Sequence, residues 1–161
     1  MDSKIKQKTC LLKCFRGNQK KYKPFFQLEG FKVTTEKRFD NRIFAEASVR
    51  LSVDGNNEFC AAEGDGPVNA LDLALRAALI SKYPELAQLR LEDYKVRIIP
   101  EQRGTAAKVR VLIESSIAEK RFGTVGVDEN IVAASWKALA DGFSYAHLLI
   151  RANQVKKRKR G

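Results

Sequence analysis

Ala45-Glu46-Ala47-Ser48-Val49-Arg50-Leu51-Ser52-Val53-Asp54-Gly55-Asn56-Asn57 is the stretch that decides the fold. Ala45, Ala47, Val49, Leu51 and Val53 alternate with Glu46, Ser48, Arg50 and Ser52. A period of two places the apolar side chains on one face of a half-buried antiparallel strand. Asp54-Gly55 before Asn56-Asn57 is turn chemistry, so Glu58 to Ala62 is expected to return as the next strand of a hairpin. Upstream, Phe31, Val33 and Thr35 against Lys32, Thr34 and Glu36 give an earlier strand of the same kind. Downstream, Gly64-Asp65-Gly66-Pro67 opens a segment to about Lys82 in which Val68, Leu71, Leu75, Ala78 and Leu79 recur at helical spacing. Pro67 suits the first helical turn, and Pro84 ends the element.

A second set of elements repeats this order. Strands are expected around Tyr94, Val96 and Ile98, around Val109, Val111 and Ile113, and from Phe122 to Val127, followed by a helix from near Asp128 to about Asp141. Phe31-Lys32-Val33 matches Tyr94-Lys95-Val96 at an offset of 63 residues, and Phe59 matches Phe122 at the same offset. Ala47-Ser48-Val49-Arg50 matches Ala107-Lys108-Val109-Arg110 at an offset of 60. Asp65 falls on Asp128, Val68 on Ile131 and Ala70 on Ala133. The expected fold class is therefore α+β, two βββα units of about residues 28–83 and 92–142 related by a pseudo-twofold, with antiparallel sheets and two helices. Three strands and one helix bury little surface alone, so the units should pack together. In the second helix Ile131, Val132, Ala133, Ala134, Trp136, Ala138, Leu139 and Ala140 leave almost no polar face, which points to a partner subunit as cover.

The 161 residues suit one ordinary domain with tails: a basic segment 1–24, a domain over 25–150 and a basic tail 151–161. That length excludes a (β/α)8 barrel. The net charge is +11. Eight Lys/Arg against Asp2 lie in residues 1–23, and Arg151, Lys156, Lys157, Arg158, Lys159 and Arg160 lie unopposed in residues 151–161. The body between is near neutral, so the ends read as solvated tails, a nucleic-acid partner is not expected, and no membrane segment is present. A basic-tailed nucleic-acid-associated module is retained as an alternative. Cys10, Cys14 and Cys60, without a signal-peptide pattern at the start, suit a reducing, cytoplasmic setting and no disulfide framework. Cys10 and Cys14 lack His or Cys partners at metal spacing. His147 is the only histidine, and no HExxH, P-loop or GxSxG pattern occurs. No catalytic residue, metal or cofactor is expected.

Two helix N-termini follow glycine-bearing loops, Gly64-Asp65-Gly66 and Gly126-Val127-Asp128. Free amides and the helix dipole there favour an anion such as a carboxylate, while capping by Asp65 and Asp128 is the competing reading.

The runs Gly64-Asp65-Gly66-Pro67-Val68-Asn69-Ala70-Leu71-Asp72, Asp93-Tyr94-Lys95-Val96-Arg97-Ile98, Gly104 to Glu114, and Thr124-Val125-Gly126-Val127 with Asn130-Ile131 and Ala134-Ser135-Trp136 resemble the C-terminal regulatory domain of the 2-isopropylmalate synthase family. The resemblance covers roughly residues 24–147. Tyr22-Lys23-Pro24-Phe25-Phe26 and Leu28-Glu29-Gly30-Phe31 bring it nearest to the citramalate synthase branch. It implies a duplicated βββα domain that forms a homodimer and binds isoleucine, or leucine, as feedback effector of a catalytic barrel. Carried over by position, Gly64, Asp65, Gly66, Pro67 and Val68 would meet the effector's polar end, and Leu91, Tyr94, Ile98 and Ala107 would wall its side chain. The metal-binding Asp and His-x-His of that family's barrel have no match in these residues, so the resemblance implies a regulatory piece without catalysis of its own. A subunit of a split acyltransferase, working beside a separate barrel, is the remaining alternative.

Overall fold

The computed structural model describes residues 25–99 and 107–158. Tyr22, Lys23, Pro24, Cys10, Cys14 and the loop Gly104-Thr105-Ala106 lie outside the described residues. The described chain forms two compact units that divide between residues 87 and 88.

In the first unit, β1 (Phe26–Lys37), β2 (Ile43–Val53) and β3 (Asn56–Gly64) form an antiparallel sheet in that order. Val53 pairs with Asn56 across Asp54-Gly55. Asp54 (φ 50°) and Gly55 (φ 82°) are both left-handed, the backbone that closes a two-residue hairpin with the right twist. The inward residues Ala45, Ala47, Val49, Leu51 and Val53 are fully buried. They meet α1 (Pro67–Ile80), whose Ala70, Leu71, Ala74, Leu75, Ala78 and Leu79 form one buried stripe. Gly64 makes the close approach possible, since a Cβ there would lie 2.6 Å from the Ala70 amide nitrogen. A 3-10 turn over Pro84–Gln88 follows, with Leu86 buried. Phe25 packs edge-on against Phe26 and Tyr83, and Lys82 Nζ donates to the Val53 carbonyl at 2.9 Å.

The second unit repeats the plan with β4 (Arg90–Ile99), β5 (Lys108–Ile117), β6 (Lys120–Asp128) and α2 (Ile131–Arg158). The copy extends to an irregularity: β1 bulges at Glu29 between Leu28 and Gly30, and β4 bulges at Glu92 between Leu91 and Asp93. Duplicated βββα units are thus the architecture.

The internal match differs from the sequence expectation from the second strand onward. Val49 pairs with Cys60 and its counterpart Ile113 with Thr124, so Phe59 corresponds to Gly123 and not to Phe122, Gly64 and not Asp65 corresponds to Asp128, and Val68 falls on Val132 and not on Ile131. Val33 pairs with Ala47, and its counterpart Val96 pairs with Val111, so Ala47 corresponds to Val111 and not to Ala107. An alternating strand looks alike when slid by an even number of residues, and the letters of Ala107–Arg110 matched four positions too early. In the helices the buried set Ala70, Leu71, Ala74, Leu75, Ala78 and Leu79 corresponds to Ala134, Ser135, Ala138, Leu139, Gly142 and Phe143. Ala70 therefore matches Ala134, one residue past the expected Ala133; the run Val132-Ala133-Ala134 is uniformly small or apolar, and only contact with the sheet selects the inward position.

The second helix also continues beyond Asp141 to Arg158. Gly142 does not break it, because Phe143, Ala146 and His147 carry the buried stripe onward. The apolar girdle at its start is not enclosed within this chain: Ile131 is 44% exposed, and Val132, Ala133 and Ala140 are half-buried.

Gly126 is the tightest point of the second unit, since a Cβ there would lie 1.8 Å from the Ala134 carbonyl oxygen. At Gly142 an added Cβ would meet only Thr124 Oγ1 at 3.7 Å and Ser115 Oγ at 4.0 Å. Gly126→Ala is expected to cost about 3 kcal/mol or more, because α2 must lift off the sheet. Gly142→Ala is expected to stabilise by about 0.5–1 kcal/mol, the helix-interior penalty of glycine. Urea unfolding of both variants checks the opposite signs.

Candidate functional site

The glycine loop and α1 give the first cluster. Gly66 is the N-cap residue, extended and without a side chain to bond the first amides, and Pro67 opens the helix. Asp65 does not cap it either: Asp65 is exposed, and its own amide donates to Asn69 Oδ1 at 3.2 Å. An added Cβ at Gly66 would meet nothing within 4 Å, so the approach to this end is open. The result is a helix N-terminus with outward amides, the positive end of the dipole and no carboxylate of its own.

The second helix is finished differently. Asn130 Oδ1 accepts from the amides of Val132 at 2.8 Å and Ala133 at 3.2 Å. Asp128 accepts from the Asn130 amide at 3.0 Å and from Lys137 Nζ at 2.7 Å. These bonds, Lys137 first, hold the Asp128 carboxyl below the usual carboxylate range. The two helix N-termini therefore differ: that of α2 is capped by a side chain and that of α1 is not.

The remaining candidate residues lie in the second unit. Tyr94 pairs with Ile113, Val96 with Val111 and Ile98 with Val109, so all three share the face of β4 that looks toward the helix side of the sheet. Leu91 pairs with Ser115 on the same face, ahead of the bulge. The helix covers β5 and β6 and leaves this strip open: Ile98 is 71% exposed, Val96 39% and Leu91 36%. Ala107 is exposed immediately before β5. Tyr94 is anchored where the others are not. Its hydroxyl lies 2.9 Å from Ser135 Oγ, which donates to the Ile131 carbonyl at 2.7 Å, so the tyrosine O–H is the donor. Gly64, Asp65, Gly66, Pro67 and Val68 thus form one cluster in the first unit, and Leu91, Tyr94 and Ile98 an apolar strip in the second.

Sequence reasoning missed Asn130 and Ser135, and it missed the ion pair of Asp72 Oδ2 with Arg76 Nε at 2.7 Å. Asp72 and Arg76 stand at i and i+4 on α1, a spacing that announces such a pair. Its burial does not show in the sequence: the side chains are 10% and 18% exposed. Among the described residues no three His, Cys, Asp or Glu side chains group as metal ligands. Cys60 is half-buried on β3, and burial pushes its thiol up from the ordinary range. No described helix is long and apolar enough to cross a membrane.

The family described as the LeuA allosteric (dimerisation) domain matches residues 7–147. This chain belongs to that family. It is similar to proteins named (R)-citramalate synthase: 53% identical over 125 residues to that of Geobacter sulfurreducens, covering 77% of this chain and 24% of that protein. The Aquifex aeolicus protein is 52% identical over 124 residues, with 76% of this chain and 24% of the relative covered. The Streptomyces coelicolor protein is 48% identical over 128 residues, with 80% and 24% covered. The chain thus spans about a quarter of the length of the curated relatives it matches. As a LeuA domain it carries in α1 and β4 the elements set out above.

Asn130→Ala is expected to cost about 1 kcal/mol, the usual worth of an N-cap. Asp65→Ala should stay within about 0.5 kcal/mol of the parent, as its exposed side chain caps nothing. Equal losses in chemical denaturation would contradict this assignment of the caps.

Proposed function

We propose that the chain is a non-catalytic regulatory module that forms a homodimer and binds isoleucine, or leucine, as the feedback effector of a citramalate- or 2-isopropylmalate-forming synthase. The observation that carries this reading is the uncapped N-terminus of α1, whose amides suit the α-carboxylate of an amino acid. The open apolar strip of β4 supports it, since each CH2 of a branched side chain buried on Leu91, Tyr94 and Ile98 gains about 0.8 kcal/mol. Ala107 beside β5 completes the candidate residues. Ile131, Val127 and Val96 are exposed apolar side chains of the second unit, the kind of surface a second copy covers. The similarity to the citramalate synthases favours isoleucine and a catalytic barrel as partner. Coupling to that barrel would amount to about 1–3 kcal/mol, the usual range for an allosteric domain.

Calorimetric titration and thermal unfolding with isoleucine, leucine, valine and alanine test the reading. At one hundred times Kd an effector raises stability by about 2.7 kcal/mol, so isoleucine or leucine should raise Tm by several degrees and alanine should not. Gly66→Asp supplies the missing cap at a position with room for it, so stability should hold or rise by a few tenths of a kcal/mol while the response to effector is lost. Absence of a selective response to any branched-chain amino acid would overturn the proposal.

A further inference from the structure

The outer faces of the two sheets, turned away from α1 and α2, carry opposite charges at equivalent positions of their central strands. The outward residues of β2 read Glu46, Ser48 and Arg50, and the matching residues of β5 read Arg110, Leu112 and Glu114. The neighbouring strands reinforce the contrast. Glu63 of β3 pairs directly with Glu46, and Arg97 of β4 pairs directly with Arg110. Like charges placed opposite each other across adjacent strands are unfavourable, so each unit holds a concentration of one sign that its own sheet does not neutralise. Glu46, Arg50, Glu63, Arg97 and Arg110 are all exposed, and among the described residues none of them takes part in an ion pair.

We propose that the outer sheet face of the first unit in one copy of the chain docks on the outer sheet face of the second unit in another copy. Sheets that stack face to face lie about 10 Å apart with their strands within about 30° of alignment, a gap that Arg and Glu side chains reaching from opposite sides can bridge. With Ser48 set over Leu112 as the centre, two aligned orientations exist. If β2 and β5 run in opposite directions, Glu46 faces Glu114 and Arg50 faces Arg110, and both contacts repel. If they run the same way, Glu46 faces Arg110 and Arg50 faces Glu114. Turning one sheet over onto the other in that direction exchanges left and right, so β3 comes to lie over β4. The central strands alone select this orientation, and the outer strands agree with it, because Glu63 then faces Arg97. Beside these pairs Thr34 faces Val127, which is 36% exposed. A second copy suits these faces better than a polyanion or a polycation does, since each face carries both signs in a fixed order. The contact uses the side of the sheets away from the strip of Leu91, Tyr94 and Ile98 and does not depend on the effector reading.

Sedimentation velocity of the full chain over a range of concentrations, at low and at high salt, tests the contact. The parent should self-associate, and the association should weaken as salt screens the pairs. Glu46→Arg and Arg110→Glu each set like charges against each other and should weaken association by at least about tenfold. Both residues are exposed, so thermal unfolding should stay that of the parent. The double variant Glu46→Arg/Arg110→Glu, and an equimolar mixture of the two single variants, should regain the parent's association. The proposal is overturned if the parent does not self-associate, if either single variant associates as the parent does, or if the double variant or the mixture associates no better than the single variants. Self-association that neither salt nor the single variants alter would leave an apolar contact between copies standing and remove this one.

Discussion

One helix cannot cover three strands. An α-helix is about 10 Å across and neighbouring strands lie about 4.8 Å apart, so a single helix on a three-stranded sheet seats fully on two of them. In the first unit α1 lies on β2 and β3, and in the second α2 lies on β5 and β6. Glycine sets which side is chosen. Gly64 and Gly126 bring the helix backbone against the last strand of each sheet, with no room for a Cβ at either point. The first strand of each unit is left partly bare on its helix-facing side. Leu28 on β1, and Leu91, Val96 and Ile98 on β4, remain exposed although the strand pattern marks them as inward.

That shortfall leaves apolar surface open on the first strand of each unit. Apolar surface left open costs roughly 25 cal/mol per Å2 relative to burial, so a domain that keeps it is suited to covering by something else. On the proposed reading, the cover is an aliphatic effector and a second copy of the chain. Tyr94 is the exception that gives the strip a fixed point, since its hydroxyl donates to Ser135 Oγ, which itself donates to the Ile131 carbonyl, while Ile98 stands in solvent. The amide-rich end of α1 is open for a related reason: Gly66 has no side chain and Pro67 no N–H, so neither supplies a cap from within.

Most of this architecture was legible in the sequence because it rests on short-range rules. Alternation from Ala45 to Val53, the Asp54-Gly55 turn and the apolar spacing of α1 each announce their own element, and their recurrence announces the duplication. What stayed hidden depends on contacts between elements. The register of β5 was misread because an alternating strand matches itself at every even shift, and only the pairing of Val96 with Val111 decides among the shifts. The end of α2 was placed at about Asp141, just before Gly142, whereas the space opposite Gly142 is lined by Thr124 and Ser115 and the helix passes through. Asp65 and Asp128 looked like equivalent caps. The backbone gives the cap of α2 to Asn130 and leaves α1 without one.

The two copies share a frame but not a core. Where the first unit has the buried Leu51, Leu71 and Ala78 and the half-buried Cys60, the second has Ser115, Ser135, Gly142 and Thr124. The exchanges at Leu51, Leu71 and Ala78 remove apolar volume, and unpaired hydroxyls in the second unit's places would cost about 1–3 kcal/mol apiece. Two of them are paired with the helix they face: Thr124 Oγ1 donates to the Ala138 carbonyl at 2.7 Å, and Ser135 Oγ to the Ile131 carbonyl. The lost volume is offset by larger residues at neighbouring positions. Phe143 stands where α1 has Leu79, Trp136 where it has Asp72, and Phe122 packs edge-on against Tyr145. The buried stripe of α2 also runs further than that of α1, through Ala146 and His147. Ser135, which accepts from the hydroxyl of Tyr94, thus stands in the second copy where the first buries Leu71.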